Sequence, residues 1–319
     1  MRNDITFQSN GLKIAGHLYL PDAPAGSPTN VPVDGPRPAV VVGHPGTGVK
    51  EQTAGLYARR LAENGFVALA FDAAYQGESE GLPRGLEDPA QRVEDLKAAV
   101  SFLTARGEVD PERIGVLGIC ASGGYALTAT ATDHRIKAVG TVSAMDIARQ
   151  FRLGADGTQD PAVFQGLLDA AAAARTAEAR GAGTQSFPLF PDSEEAARAG
   201  GRHNFEGWEY YCTARGAHPR STKVLPWSSV DRIGTYDASQ SVPLIGQRPL
   251  IMVAGTEAVT SWVSVDAFQR ATGPKQTVWV DGATHVDLYD VEKYVETAVE
   301  ALTGFYRASL AETAKHIEG

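Results

Sequence analysis

Short runs of apolar, mostly β-branched residues alternate along the chain with stretches in which apolar positions recur every three or four residues. That alternation predicts a mostly parallel sheet with helices on both faces. The first elements differ: residues 5–8 and 12–20 flank Ser9-Asn10-Gly11 and predict an antiparallel hairpin. Residues 21–38 are rich in Pro, Gly, Ser and Asn and predict an exposed loop. Strand and helix then repeat as strand 39–42, helix 51–64, strand 66–71, helix 89–105, strand 113–117, helix 123–131 and strand 136–143. The series resumes with strand 250–254, helix 263–271, strand 276–280 and helix 290–310. Continuous apolar runs such as FVALAF and PLIMVAG suit central strands covered on both faces.

Between residues 145 and 245 the alternation stops. This stretch holds an alanine-rich helical pattern at 167–180 and then Phe205, Trp208, Tyr210, Tyr211 and Trp227. A structureless loop of that length does not suit a compact domain, so 145–245 reads as a helical lid inserted within one domain spanning 1–319. Its aromatic residues pack the lid onto the body. Trp208, Tyr210 and Tyr211 are also the candidate substrate-binding residues, able to wall off an acyl group from water.

Composition narrows the function. The chain has 319 residues, 43% of them hydrophobic, enough for a sizeable core. Its net charge is −9, and no basic run of five or more residues occurs, which argues against nucleic acid or an anionic membrane surface as partner. Two cysteines make neither a disulfide framework nor a cysteine-based zinc site. No apolar window approaches a bilayer span, and the first residues do not read as a signal peptide. The expectation is a soluble, cytoplasmic protein acting on a small molecule, with a homodimer left open.

The chemistry concentrates at residues 110–124, DPERIGVLGICASGG. An apolar strand runs into Gly118-Ile119-Cys120-Ala121-Ser122-Gly123-Gly124 and on into a helix. This is the layout of a nucleophile elbow, in which a sharp strand-to-helix turn strains the nucleophile and admits only small neighbours. Two residues compete for the slot, Cys120 and Ser122. The nucleophile falls two residues beyond the second strand glycine, which favours Cys120; the bland alternative is a small buried cysteine. A helix N-terminus at the thiol predicts a depressed pKa and a stabilised oxyanion. In the loop His44-Pro45-Gly46-Thr47-Gly48, Pro45 has no N–H, so Gly46 and Ala121 are the candidate oxyanion-hole donors. The loop lacks both G-x-G-x-x-G and a G-K-[ST] ending, which weakens a nucleotide reading.

His285 follows the last strand, where a nucleophile–acid–histidine order places its base. The acid is expected after the strand at 250–254. A G-x-x-D spacing falls on Ala258, so Glu257, the acid in that loop, becomes the candidate. Asp72 reads as a structural carboxylate bonding loop amides.

Taken together, the cysteine elbow, HPGTGVKE, FDAAYQGES and GATHVDLYD resemble the dienelactone-hydrolase-like branch of the α/β-hydrolase superfamily. The likeness covers roughly 39–145 and 249–307; in the lid it is confined to scattered positions such as WEYYCTARGAHP. Ala258 and Ser122 depart from the usual pattern. The resemblance implies an α/β-hydrolase fold and acyl hydrolysis of an ester, lactone or thioester by Cys120, His285 and Glu257, with no metal or organic cofactor. Acyl transfer or cyclisation in a polyketide-type pathway would use the same site. A non-catalytic ligand-binding version of the fold would be expected to have lost part of the triad.

Overall fold

The computed structural model describes residues 1–21 and 35–311. Most of the loop expected at 21–38 lies outside these residues. The chain opens with the hairpin β1 (Arg2–Ser9) and β2 (Leu12–Tyr19), turning through Asn10 and Gly11, both at positive φ. The repeating units follow as β3 (Arg37–Gly43), α1 (Thr53–Glu63), β4 (Val67–Phe71), α2 (Pro89–Thr104), β5 (Val109–Ile119), α3 (Ala121–Thr132) and β6 (Ile136–Val142). Helix α2 starts where its sequence dictates: Asp88 accepts from the amides of Ala90 and Gln91, and Pro89 occupies the first turn.

Between β6 and the next sheet strand lie α4 (Ile147–Leu153), α5 (Pro161–Ala179), β7 (Ser186–Pro188), α6 (Glu194–Ala199), α7 (Arg202–Cys212), β8 (Val224–Pro226) and α8 (Ser228–Gly234). The insertion is thus mainly helical, with β7 and β8 pairing antiparallel as a small ribbon. The chain then returns through β9 (Leu250–Gly255), α9 (Ser261–Arg270), β10 (Lys275–Val280), the short α10 (Asp287–Asp290) and α11 (Glu292–Ser309).

Eight of the described strands form one sheet in the order β1-β2-β4-β3-β5-β6-β9-β10. The hairpin joins it antiparallel through β2 and β4, and from β4 to β10 every neighbour is parallel. This is the α/β-hydrolase arrangement anticipated from the sequence. Because side chains alternate across a strand, the apolar runs feed two cores. Val41, Leu69 and Val116 face α2 and α3 on one side, while Val40, Val42 and Leu117 face α1 and α11 on the other. Register brings Gly43 of β3 beside Gly118 of β5, so the loops leaving both strands emerge together at the sheet's C-terminal edge. That edge is where open α/β sheets place their ligands.

Candidate active site

The turn from β5 into α3 places Cys120 at φ 54°, ψ −121°, a left-handed conformation that a non-glycine residue holds only when its surroundings impose it. Those surroundings are explicit. The Cys120 amide donates to the Val142 carbonyl at 3.0 Å, and its carbonyl accepts from Gly123 at 2.7 Å and Met145 at 2.9 Å. Small neighbours are a packing necessity. A Cβ on Gly118 would lie 2.0 Å from the Ser122 carbonyl oxygen, and one on Gly43 would lie 2.8 Å from the Ser122 hydroxyl.

Ser122 is 3% exposed and is held within the wall. Its hydroxyl donates to the His44 carbonyl at 2.6 Å and accepts from Arg92 at 3.2 Å. Of the two elbow candidates, Cys120 has the strained backbone and faces the cleft, and Ser122 braces the loop that carries Gly46.

That loop is fixed from several sides. The Ala73 amide donates to His44 Nε2 at 3.0 Å, which leaves the ring proton on Nδ1, 2.7 Å from the Pro45 carbonyl. Burial and the Arg92 guanidinium hold His44 well below its ordinary pKa, so it stays neutral. Arg92 also donates to the His44 carbonyl and pairs with buried Glu87, itself bonded by the Tyr125 hydroxyl at 2.7 Å. Asp72 accepts from the amides of Lys50 and Glu78, as its position after β4 suggested. Held in this way, the Gly46 backbone N–H favours the Cys120 thiolate, as does that of Ala121 from the first turn of α3.

His285 is buried in the turn after β10. Its carbonyl accepts from the Ser143 hydroxyl at 2.8 Å, tying the turn to the end of β6. On the cleft side, Nε2 lies 3.0 Å from the Tyr289 hydroxyl, a group that also favours the Cys120 thiolate. On the other side, Nδ1 lies 2.5 Å from Thr260 Oγ1.

The assignment of Glu257 as orienting acid is therefore corrected. Its amide bonds the Ala283 carbonyl while its half-exposed carboxylate pairs with Arg202 at 3.1 Å. The tight turn through 255–261 aims Thr260 inward and Glu257 outward. Among the described residues no carboxylate pairs with His285.

The thiol is corrected as well. Burial pushes Cys120 up, against the opposing pull of Tyr289, Ala121 and Gly46, and pushes His285 well below its ordinary value, with His203 adding to the shift. Both shifts oppose a resting thiolate–imidazolium pair.

The cleft has a volume of about 750 Å³ and is lined by Gly46, Cys120, Ala121, Tyr211, His285 and Tyr289 among others. Of the three aromatic residues expected to line it, Tyr211 does. Tyr210 turns into the body, packing edge-on against Tyr289 at 5.2 Å. Trp208 stacks on Phe205 one helical turn away at 6.3 Å. The α7 helical period turns 210 about 100° away from 211, while Trp208 is drawn aside by its stacking on Phe205. Sequence reasoning passed over Thr260 and Tyr289, and left His203 in the lid as a surface residue or substrate contact. Tyr289 carried a signal, since it lies four residues beyond His285 and shares its face of a helical turn.

The sequence profile of the dienelactone hydrolase family matches residues 22–144. The chain is 42% identical to the uncharacterized protein YcjY of Escherichia coli K12, over 85% of its own length and 89% of the relative's. The chain belongs to the dienelactone hydrolase family. Membership makes it an α/β hydrolase. It is also similar to PA2218 of Pseudomonas aeruginosa, an uncharacterized protein: the crystal structure superposes with a TM-score of 0.87 at 33% identity, covering 97% of this chain and 94% of that one. Thiohydrolase aneE of Aspergillus aculeatus is 27% identical over 95% of this chain and 91% of its own. The family profile spans β3 to β6 and so includes both Gly46 and the Cys120 elbow, whereas Thr260, His285 and Tyr289 lie beyond it.

Proposed function

We propose that this dienelactone hydrolase family member cleaves an ester, lactone or thioester through a covalent acyl-enzyme on Cys120. The observation that carries the reading is Cys120, strained at the β5–α3 turn, lining one cleft with Gly46, Ala121, His285 and Tyr289, the last 3.0 Å from His285 Nε2. The Gly46 and Ala121 N–H groups suit the oxyanion that forms when the sulfur attacks a carbonyl, each worth about 2.7–4 kcal/mol in comparable sites.

In this reaction the sulfur forms a bond to the substrate carbonyl carbon. Its proton moves to the Tyr289 oxygen as the Tyr289 proton moves to His285 Nε2. Thr260 accepts from Nδ1–H and holds the ring in the tautomer whose Nε2 is free to accept. The imidazolium returns a proton by the same route to the departing alkoxide or thiolate, leaving acyl-Cys120. Water then attacks the acyl carbon, its proton going to His285, and the thiol is restored as the acid leaves. The relationship to a thiohydrolase supports including thioesters in the substrate range.

Intact-protein mass spectrometry tests this with p-nitrophenyl butyrate and butyryl-N-acetylcysteamine. A butyryl adduct mapping to Cys120 is expected, absent in a Cys120→Ala variant of unchanged melting temperature. An adduct on Ser122, or turnover by Cys120→Ala, would overturn it.

A further inference from the structure

Two hydrogen-bond donors in the cleft wall have no acceptor. Tyr211 is 4% exposed, and its hydroxyl is buried without a partner. The ring cannot swing out to find one, because it stacks on Phe190 at 4.7 Å and meets Tyr210 edge-on at 4.9 Å. The second donor belongs to His203, whose ring stands edge-on to His285 at 5.1 Å. The Gln150 side-chain amide lies 3.2 Å from His203 Nε2 and donates to it, which puts the ring proton on Nδ1. That Nδ1 is buried and unpartnered as well.

Both residues project from α7 toward the cleft, at positions 203 and 211 with Gly207 midway. Residues four apart share a helix face, so the three form one stripe about 12 Å long. Gly207 keeps the middle of that stripe open: a Cβ there would already lie 3.0 Å from the Phe190 ring. Buried donors without acceptors are rare in folded proteins because each forfeits its hydration. Here they occur as a pair on one cleft-lining stripe, beside the attacking sulfur and its base.

We infer that the α7 stripe recognises acyl substrates carrying an acceptor oxygen besides the scissile carbonyl, a keto or hydroxyl group on the acyl chain, held by the Tyr211 hydroxyl and His203 Nδ1–H. The inference rests on the acyl-hydrolase reading of the same site. It makes Tyr211 and His203 specificity-determining residues, and it discriminates against plain alkyl acyl groups of equal length, which would fill the cleft and leave both donors desolvated.

The test compares matched thioesters of N-acetylcysteamine, 3-oxohexanoyl and 3-hydroxyhexanoyl against hexanoyl, in the wild type, Tyr211→Phe and His203→Asn. Wild-type kcat/KM is expected to favour the oxygenated substrates by about tenfold or more. Tyr211→Phe keeps the stacked ring and should draw that ratio toward one, with the loss mainly in KM. Equal kcat/KM for oxygenated and plain substrates in the wild type would overturn the inference, as would a Tyr211→Phe variant that keeps the wild-type ratio. Acylation of Cys120 by hexanoyl thioester, followed by mass spectrometry, separates the two levels. If no substrate acylates Cys120, the hydrolase reading itself falls; if all acylate it without discrimination, only the recognition of oxygen falls.

Discussion

Cys120, His285 and Tyr289 line one cleft, and the Tyr289 hydroxyl both lies 3.0 Å from His285 Nε2 and favours the Cys120 thiolate. In the proposed reaction the proton passes from the thiol through Tyr289 to Nε2, with Nδ1 held 2.5 Å from Thr260 Oγ1. Replacing Tyr289 by Phe cuts that path in the middle while preserving the ring that packs against Tyr210. Acylation should slow by about 10²-fold or more, the scale of general-base assistance. Iodoacetamide labelling of Cys120, which should climb with pH above neutrality because burial raises the thiol, should need still higher pH once the hydroxyl that favours the thiolate is gone. Stopped-flow acylation and a pH series of labelling rates measure both. A Phe variant within about twofold of wild type, with an unmoved labelling profile, would reduce Tyr289 to packing. Thr260→Val strands the buried Nδ1–H, at a cost of about 1–3 kcal/mol, and should lower kcat with little effect on KM. The elbow and the position of His285 could be read from residues because small neighbours and strand ends leave a local pattern. Thr260 could not: the third position was searched for a carboxylate, and the turn that points Glu257 at Arg202 depends on contacts with Ala283 across the sheet edge.

At the level of elements, the strand–turn–helix from β5 to α3 is built to a tolerance set by backbone atoms. Gly118→Ala would press a Cβ to 2.0 Å from the Ser122 carbonyl oxygen, an overlap that only displacement of α3 can relieve. Gly46→Ala, one strand away, meets nothing closer than 3.9 Å. Thermal unfolding should therefore separate them: a loss exceeding about 3 kcal/mol, or failure to fold, for Gly118→Ala, and a melting temperature near wild type for Gly46→Ala. Comparable stability of the two variants would mean that close approach does not govern the elbow. The sheet strands and their helices follow the sequence pattern to within a few residues because the continuous apolar runs and helix caps are local signals. In the insertion, only the alanine-rich α5 was legible. Helix α7 was missed as a helix because Asn204, Gly207 and Glu209 interrupt its apolar period. Its three-way division, with Tyr211 to the cleft, Tyr210 to the body and Trp208 against Phe205, rests on tertiary packing as well as on the period. The strands β7 and β8 are three residues each, too short to carry an alternation.

At the scale of the whole molecule, burial of neutral histidines couples the site to folding. His17, His44, His203 and His285 are all held below their ordinary pKa, with burial the largest cause in each. The unfolded chain takes up protons on these rings as pH falls through about 6.5, while the native state takes them up only at lower pH. Stability contributed by neutral histidines is thus fully present above about 6.5 and is lost as pH falls, each ring weakening the fold by up to about 1.4 kcal/mol per pH unit. For His203 the window closes at about 4, where the native ring also takes its proton. Raised carboxylates at Asp95, Asp146 and Glu206 act in the opposite sense over part of that range, so the wild-type curve alone does not isolate one ring. The difference between wild type and His203→Asn does, since the carboxylates outside its contacts cancel. Urea unfolding at half-unit steps from pH 8 to 4 should give a constant difference above about pH 7 that then shifts steadily in favour of the variant down to about pH 4. Removing the ring also removes its repulsion of a protonated His285, so His285 should titrate at higher pH in the variant, which NMR of the ring protons can follow. Parallel stability curves across the whole range would show that His203 titrates alike in folded and unfolded chains, and that its position beside His285 places no constraint on the proton the base must accept.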